Sequence, residues 1–435
     1  MTKKRIVILG SGLAGLSAAY HLQKKGLDYQ IFEKEDTSGG LCRSKNIDGF
    51  TFDYSGHLLH FKHHYTYKLV QGLLNNNLIR HKRKSWVHSF NTDVPYPFQA
   101  NFFGLPPKIT KDCLLGFVQA ANNGHYKKKQ DTTFKDWIYQ TFGRGIARHF
   151  MLPYNKKFWT VCPSQLTCDW LDNLIPQLSL EDVIEAAITR SSKHLGYNAN
   201  FWYSKKGGIQ ALVFAFAERI RKIELSCSCQ KIDINNKKVF FRNGLQKKFD
   251  KLISTIPLPE LVNIIDDLPE SIISSFKKLR WVSILNFNLG IDRKDINDKH
   301  WIYFPEKKFI FFRVGFPHNF SACLTPPKKS SVYIEVSYSR NKPINKKSIV
   351  SHIIKDLIKA RIISGTDRII TQDINDIKYG YPIYDRNYCS ARENILKFLQ
   401  KNNILSCGRY GSWKYMSMED VILEARKITE KLPYI

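Results

Sequence analysis

IVILGSGLAG, residues 6–15, is a run of four apolar residues broken by Gly10, Gly12 and Gly15 ahead of a helical stretch, LSAAYHLQKK. A short buried strand that turns on glycine into a helix is the arrangement that cradles a dinucleotide pyrophosphate. Gly10 allows the tight turn, Gly12 leaves room for phosphate against the backbone, and Gly15 lets the helix close on the strand. The free amides of Leu13, Ala14 and the rest of the first turn carry the positive end of the helix dipole toward the anion.

A second apolar strand, Tyr29–Phe32, ends at Glu33 and Lys34, roughly twenty residues past the glycines, where a carboxylate accepts ribose hydroxyls. An acid there disfavours a 2′-phosphate and argues against NADP at this site. The next segment, TSGGLCR at 37–43, puts Gly39, Gly40 and Leu41 just beyond the strand, with Arg43 close behind. This resembles the second glycine motif of glutathione-reductase-like and amine-oxidase-like flavoproteins, which holds FAD from the other side of its pyrophosphate.

A chain of 435 residues that is 43% hydrophobic suits a large enzyme of two or three domains. The apolar segment after Lys3, Lys4 and Arg5 reads as a strand and not a leader, and no run reaches the roughly twenty residues that a membrane span needs. Nine cysteines without small-scaffold spacing predict reduced thiols and a cytoplasmic setting, with Cys227 and Cys229 as packing residues. His57, His60, His63 and His64 lack companion ligands at zinc spacing, so no metal is expected. The net charge of +29 is spread over nearly every segment, including KKK at 127–129 and KK pairs at 205–206, 237–238, 247–248 and 345–346. That scatter predicts a basic surface steering an anionic small substrate, with no nucleic-acid partner. The oligomeric state is left open, a homo-oligomer included.

The organisation reads as discontinuous α/β: a Rossmann-like FAD-binding domain from 1–65, 205–265 and 380–435, with two insertions. The first, 70–200, is helix-rich and aromatic; the second, 270–378, alternates as β-strands do (WVSILNFNLGI, SSVYIEVSYS) and predicts an antiparallel sheet.

The strings LPYNKKFW (152–159), GYNANFWYSKKGG (196–208), WIYFPE (301–306) with Arg313, YGYP (379–382) and GRYGSWKY (408–415) occur in that order along the chain. Together they resemble the UDP-galactopyranose mutase family, in its eukaryotic-type branch and relatives in surface-polysaccharide synthesis, more than the amine oxidases or protoporphyrinogen oxidases. The resemblance implies FAD as cofactor, active when reduced, with NAD(P)H as external reductant. It implies a redox-neutral interconversion of pyranose and furanose forms of a UDP-galactose-like substrate through a flavin N5–sugar adduct.

By the same resemblance, Ser55, Gly56 and His57 match the loop beside the flavin N5, Gly408 and Arg409 sit at the flavin, and the helix from Met418 faces its pyrimidine end. Phe98 and Gln99 in VPYPFQ match the uridine-side loop. Asn155, Trp159 and Asn198 match residues near the nucleotide and sugar, while Arg313, Tyr381 and Tyr415 match ligands of the substrate diphosphate. The physics agrees for Arg313, since a guanidinium can give two parallel hydrogen bonds to phosphate and stays charged. Two departures stand out. Leu174 replaces a second diphosphate arginine, a loss of about 1.5–3 kcal/mol unless Arg190 or Arg386 compensates, and Phe320 replaces a common tyrosine. Two other readings compete: an oxidase or dehydrogenase of an amine or porphyrinogen-like ring, and a non-catalytic nucleotide-sugar or flavin-binding module.

Overall fold

Ile6–Leu9 is buried along its whole length because its side chains alternate between two cores. Val7 and Leu9 pack with Phe32 and Phe241 on one face; Ile6 and Ile8 pack with Leu16 and Ile422 on the other. The strand is central in a five-stranded parallel sheet ordered Ile404–Ser406, Lys251–Ser254, Ile6–Leu9, Tyr29–Phe32, Ile223–Glu224. A parallel sheet is stable only when both faces are covered. The helices Leu13–Lys24 and Met418–Glu430 cover one face and a three-stranded antiparallel sheet covers the other. This computed structural model describes residues 5–122, 132–171, 175–189 and 199–433. Asn198, Leu174 and Arg190, each singled out in the sequence, lie outside the described residues.

A second sheet has seven strands, ordered Ile369–Pro382, Trp281–Ile291, Ser330–Tyr338, Arg313–Gly315, Trp301–Tyr303, Ser85–Ser89, Thr92–Pro95. It differs from the expected sheet in two respects. It recruits two strands from the stretch 70–200, read as helix-rich, and Trp301–Tyr303 pairs with Ser85–Ser89 in parallel. A strand arriving from a distant part of the chain is not bound to the antiparallel sense of a hairpin. The helix Ile349–Lys359 closes the outer face through Ile353 and Leu357 against Phe309 and Phe311. Helices Pro107–Asn122, Phe134–Ile146, Leu152–Trp159 and Leu180–Ile188 stand beside this sheet.

Candidate active site

A cleft of about 1110 Å³ runs from the carboxyl ends of the parallel strands to the seven-stranded sheet. Leu9, Phe32, Thr255 and Cys407, each at or just past a strand end, line its first half. This is the crevice in which parallel α/β sheets bind ligands. Its volume exceeds the usual range for one small-molecule pocket, roughly 300–1,000 Å³, and suits a large cofactor with a second ligand.

The glycines of the first half serve separate purposes. A Cβ on Gly15 would stand 1.9 Å from the Gly10 carbonyl oxygen, so helix and strand close only on glycine, and Gly15 is interior and does not line the cleft. A Cβ on Gly12 would meet protein atoms only at 3.7 Å and beyond, at Gly40 and Gly39. The space above Gly12 is therefore open to a ligand, and Leu13 and Ala14 line it at the start of a helix with no side-chain cap and no acid in its first turn. Gly39 and Gly40 close over Gly12, bridged to it backbone to backbone.

Glu33 is 5% exposed and held in place: Ser11 donates to Oε2 through its amide (2.6 Å) and hydroxyl (3.0 Å), and the Glu35 amide donates to Oε1 (3.1 Å). A carboxylate has about four lone-pair positions, so this one keeps capacity for ribose hydroxyls. Arg43 Nε donates to the Gly40 carbonyl at 3.0 Å, while Lys34 and Leu41 complete the rim. Cys227 and Cys229 line this end as well as packing. An adenine dinucleotide fits the cradle: open space over glycine, unused amides and an oriented carboxylate.

The second half is built by long-range contacts. His57, beside Gly56, donates from Nδ1 to the Ser55 carbonyl (3.1 Å), which leaves Nε2 as an acceptor in the cleft. Burial, aided by the positive charge of Arg409, holds its pKa down at about 4, so the ring is neutral at physiological pH. Tyr381 and Tyr415 stack with ring centroids 6.0 Å apart. The Arg409 guanidinium lies 4.6 Å from the Tyr381 ring and 4.8 Å from that of Tyr415. Burial pushes the Tyr381 phenol up to about 12, keeping it a hydrogen-bond donor. Arg409 Nη2 donates to the Gly380 carbonyl at 2.9 Å, while among the described residues its Nε and the indole Nε1 of Trp159 are buried with no hydrogen-bond partner.

Arg313 lines this half with one edge of its fork engaged. Arg313 and Glu335 are directly opposed in the antiparallel register, and the guanidinium gives Nε and Nη2 to the two carboxylate oxygens, the second at 2.8 Å. Burial favours the neutral form of the guanidinium; the carboxylate outweighs it and holds Arg313 charged. The side-on edge of the fork is thus taken, and of the five N–H groups the two on Nη1 and the second on Nη2 are left for phosphate. Glu335, 1% exposed, also accepts from the Ser55 hydroxyl. It was missed in the sequence, though one acid in the apolar strand SSVYIEVSY signals a buried cation partner.

Gln99, Asn155 and Trp159 line the cleft; Gln99 Nε2 donates to the Pro176 carbonyl (3.2 Å) and Asn155 Nδ2 to that of Met151 (2.8 Å). Phe98 does not line it: the ring is fully buried, stacked on Phe150 with centroids 4.8 Å apart, because the short helix Phe98–Ala100 turns it inward. Phe320 likewise packs in the core with Phe201 and Tyr203. Arg386 is exposed and does not line the cleft. Met418 and Ser417 line the cleft, but this helix terminus is partly satisfied by a capping box, in which Asp420 N donates to Ser417 Oγ at 3.2 Å. Among the described residues, no three metal-ligating side chains converge and no helix is long and apolar enough to cross a membrane.

A parallel sheet with a glycine cradle, an oriented acid at the second strand and a cleft large enough for two ligands defines a dinucleotide-dependent enzyme fold of the flavoprotein kind. The chain belongs to the flavin containing amine oxidoreductase family, whose model matches residues 13–427. It is similar to a crystal structure of reduced UDP-galactopyranose mutase at 27% identity, with a TM-score of 0.93 over 98% of this chain and 95% of that one. A putative protoporphyrinogen oxidase from Exiguobacterium sp. 255-15 shares the fold at 15% identity, TM-score 0.78, covering 99% and 98% of the two chains. In sequence, the mitochondrial protoporphyrinogen oxidase of Nicotiana tabacum is 23% identical over 92% of this chain and 88% of its own length. The zeta-carotene-forming phytoene desaturase of Myxococcus xanthus is 48% identical over 50 residues, and the chain spans only 10% of that protein.

Proposed function

We propose that the protein is an FAD-dependent nucleotide-sugar mutase acting on a UDP-galactose-like substrate. The observation that carries this reading is the character of the cleft's second half: Arg313, Arg409, Tyr381 and Tyr415 converge beside His57, where an oxidase of apolar rings would need an apolar chamber. The likeness to a UDP-galactopyranose mutase supports the same reading. When bound, reduced FAD supplies a nucleophilic nitrogen for the anomeric carbon of the sugar, with no net redox change.

The residues bind and polarise. Arg313 presents Nη1 to a phosphate oxygen while Glu335 fixes its plane, and Tyr381 and Tyr415 donate hydroxyl hydrogens to the diphosphate. Arg409, between the tyrosine rings, adds a charge that strengthens as the diphosphate departs as an anion. Neutral His57 offers Nε2 as acceptor toward the flavin ring, and Gln99 and Asn155 offer amide groups to the nucleotide and sugar. The glycine cradle and Glu33 hold the adenosine diphosphate end of the cofactor. A place in surface-polysaccharide synthesis follows from this substrate class.

Dithionite-reduced protein incubated anaerobically with UDP-galactofuranose is expected to yield UDP-galactopyranose while the flavin stays reduced; oxidised protein should not turn over. Oxygen-consuming turnover of an amine or porphyrinogen, without sugar interconversion, would replace this reading with the oxidase.

A further inference from the structure

Lys157 is 8% exposed, and among the described residues no carboxylate pairs with it. Its ammonium donates to three backbone carbonyls: Phe304 (2.7 Å), Glu306 (2.5 Å) and Phe311 (3.1 Å). Three N–H groups meet three acceptors, so the group is saturated and binds nothing else. All three carbonyls belong to the turn 304–312, which leads into Arg313; its two ends are joined by the Phe304 amide donating to the Phe312 carbonyl at 2.9 Å. Asp356 holds the turn from outside by accepting from the Ile310 amide at 2.6 Å.

The other face of the same helix, Leu152–Trp159, presents Tyr154, Asn155, Phe158 and Trp159 to the cleft. Its backbone is fastened to the strand that carries Glu335, the Ser337 hydroxyl donating to the Lys157 carbonyl, and just past both elements the Thr160 hydroxyl donates to Ser339 Oγ at 2.8 Å. One helix thus touches the segments that carry both members of the Arg313–Glu335 pair, the turn before Arg313 through the Lys157 side chain and the strand of Glu335 through the Lys157 carbonyl.

We infer that Lys157 is a positioning residue for substrate binding, setting Arg313 against the cleft face of its own helix by holding the turn 304–312. This rests on the reading of Arg313 as a diphosphate ligand. A charged lysine in so dry a place is otherwise a cost: burial, with Lys342 nearby and only partly offset by Asp356 and Glu306, drags its pKa down to about 7. An apolar side chain would avoid that cost but leave three carbonyls without donors and the turn without an anchor.

The test is a double-mutant cycle on flavin-loaded protein, with UDP affinity read by calorimetry. Lys157→Met is expected to weaken UDP binding about tenfold with flavin content unchanged, and to add nothing in an Arg313→Ala background, because its effect passes through Arg313. A residue that only stabilises the fold would lower the melting temperature and leave UDP affinity unchanged. Folded Lys157→Met with wild-type affinity, or a loss that adds to that of Arg313→Ala, overturns the inference. If Lys157→Met does not fold, Lys157→Gln, with fewer donors, carries the same cycle with a loss of about threefold. Should Arg313→Ala itself bind UDP normally, the diphosphate reading fails and this inference with it; should Arg313→Ala lose UDP while neither lysine variant does, only this inference fails.

Discussion

The two halves of the cleft are built by opposite means. The glycine turns and the acid of the cradle all come from residues 9–43, so their shape follows from local conformation: a strand, a turn at Gly10 with φ of +97°, a helix, and a second strand ending at Glu33. The far half is made of side chains separated by hundreds of residues, placed by sheet register and by buried ion pairing. Backbone recognition concentrates in a contiguous motif, whereas charged and phenolic recognition is distributed over the fold. Damage should therefore be all-or-none in the cradle and graded at the far end.

The sharpest break is Gly12→Val. Because the first side-chain carbon meets protein only at 3.7 Å, the variant should fold, yet its side chain fills the space over the helix amides. Purified protein is expected to be colourless, with a melting temperature close to that of flavin-stripped wild type. A yellow preparation would show that the ligand does not approach the backbone there.

Arg313→Ala comes next. It should retain flavin and lose UDP affinity at least tenfold, but it also strands Glu335, which is 1% exposed, and a buried carboxylate left without its partner costs about 3–5 kcal/mol. Replacing both members, as Arg313→Met with Glu335→Leu, is expected to restore most of the stability and none of the UDP binding. If the double replacement bound UDP like wild type, the far half would owe its affinity to something other than this pair.

This contrast also explains what could be read from the chain. The strands Ile6–Leu9 and Tyr29–Phe32 and the long strand Trp281–Ile291 are written as local patterns, and they lie where the alternation and the glycines put them. The pairing of Arg313 with Glu335 depends on a register between strands with a turn and two short helices between them, which no local spacing encodes. Phe98 failed for a related reason: VPYPFQ puts two adjacent residues on opposite sides of a short helix, so Gln99 lines the cleft and Phe98 enters the core. Lys157 gave no signal at all, since a lysine on a polar-looking helix reads as solvated until the turn folds over it.

Acid provides the smallest and most graded probe, and of the groups it reaches only some, His57 and His60, line the cleft. His57 and His60 are held near pKa 4 and His300 near 3, each mainly by burial, against an ordinary value of 6.5. The unfolded chain therefore takes up protons first, and the stability these neutral rings contribute, complete above pH 6.5, is lost as pH falls through 6.5 toward 4. Asp53 works in the other direction: burial raises its carboxyl to about 6, so the folded state binds that proton first and gains below pH 6. Burial also holds down His21, His81 and His318 and raises Glu424, so six histidines against two carboxyls leave a net loss, expected as a fall of several degrees in melting temperature between pH 7 and pH 5. UDP affinity should change little over the same interval, because Tyr381 titrates only near 12, Arg313 stays charged, and Lys157, held near 7, only becomes more fully protonated as pH falls. His300→Gln, whose ring accepts from the Lys84 amide outside the cleft, should flatten the melting-temperature slope without altering affinity. A slope unchanged in that variant would move the acid sensitivity from this histidine to other groups.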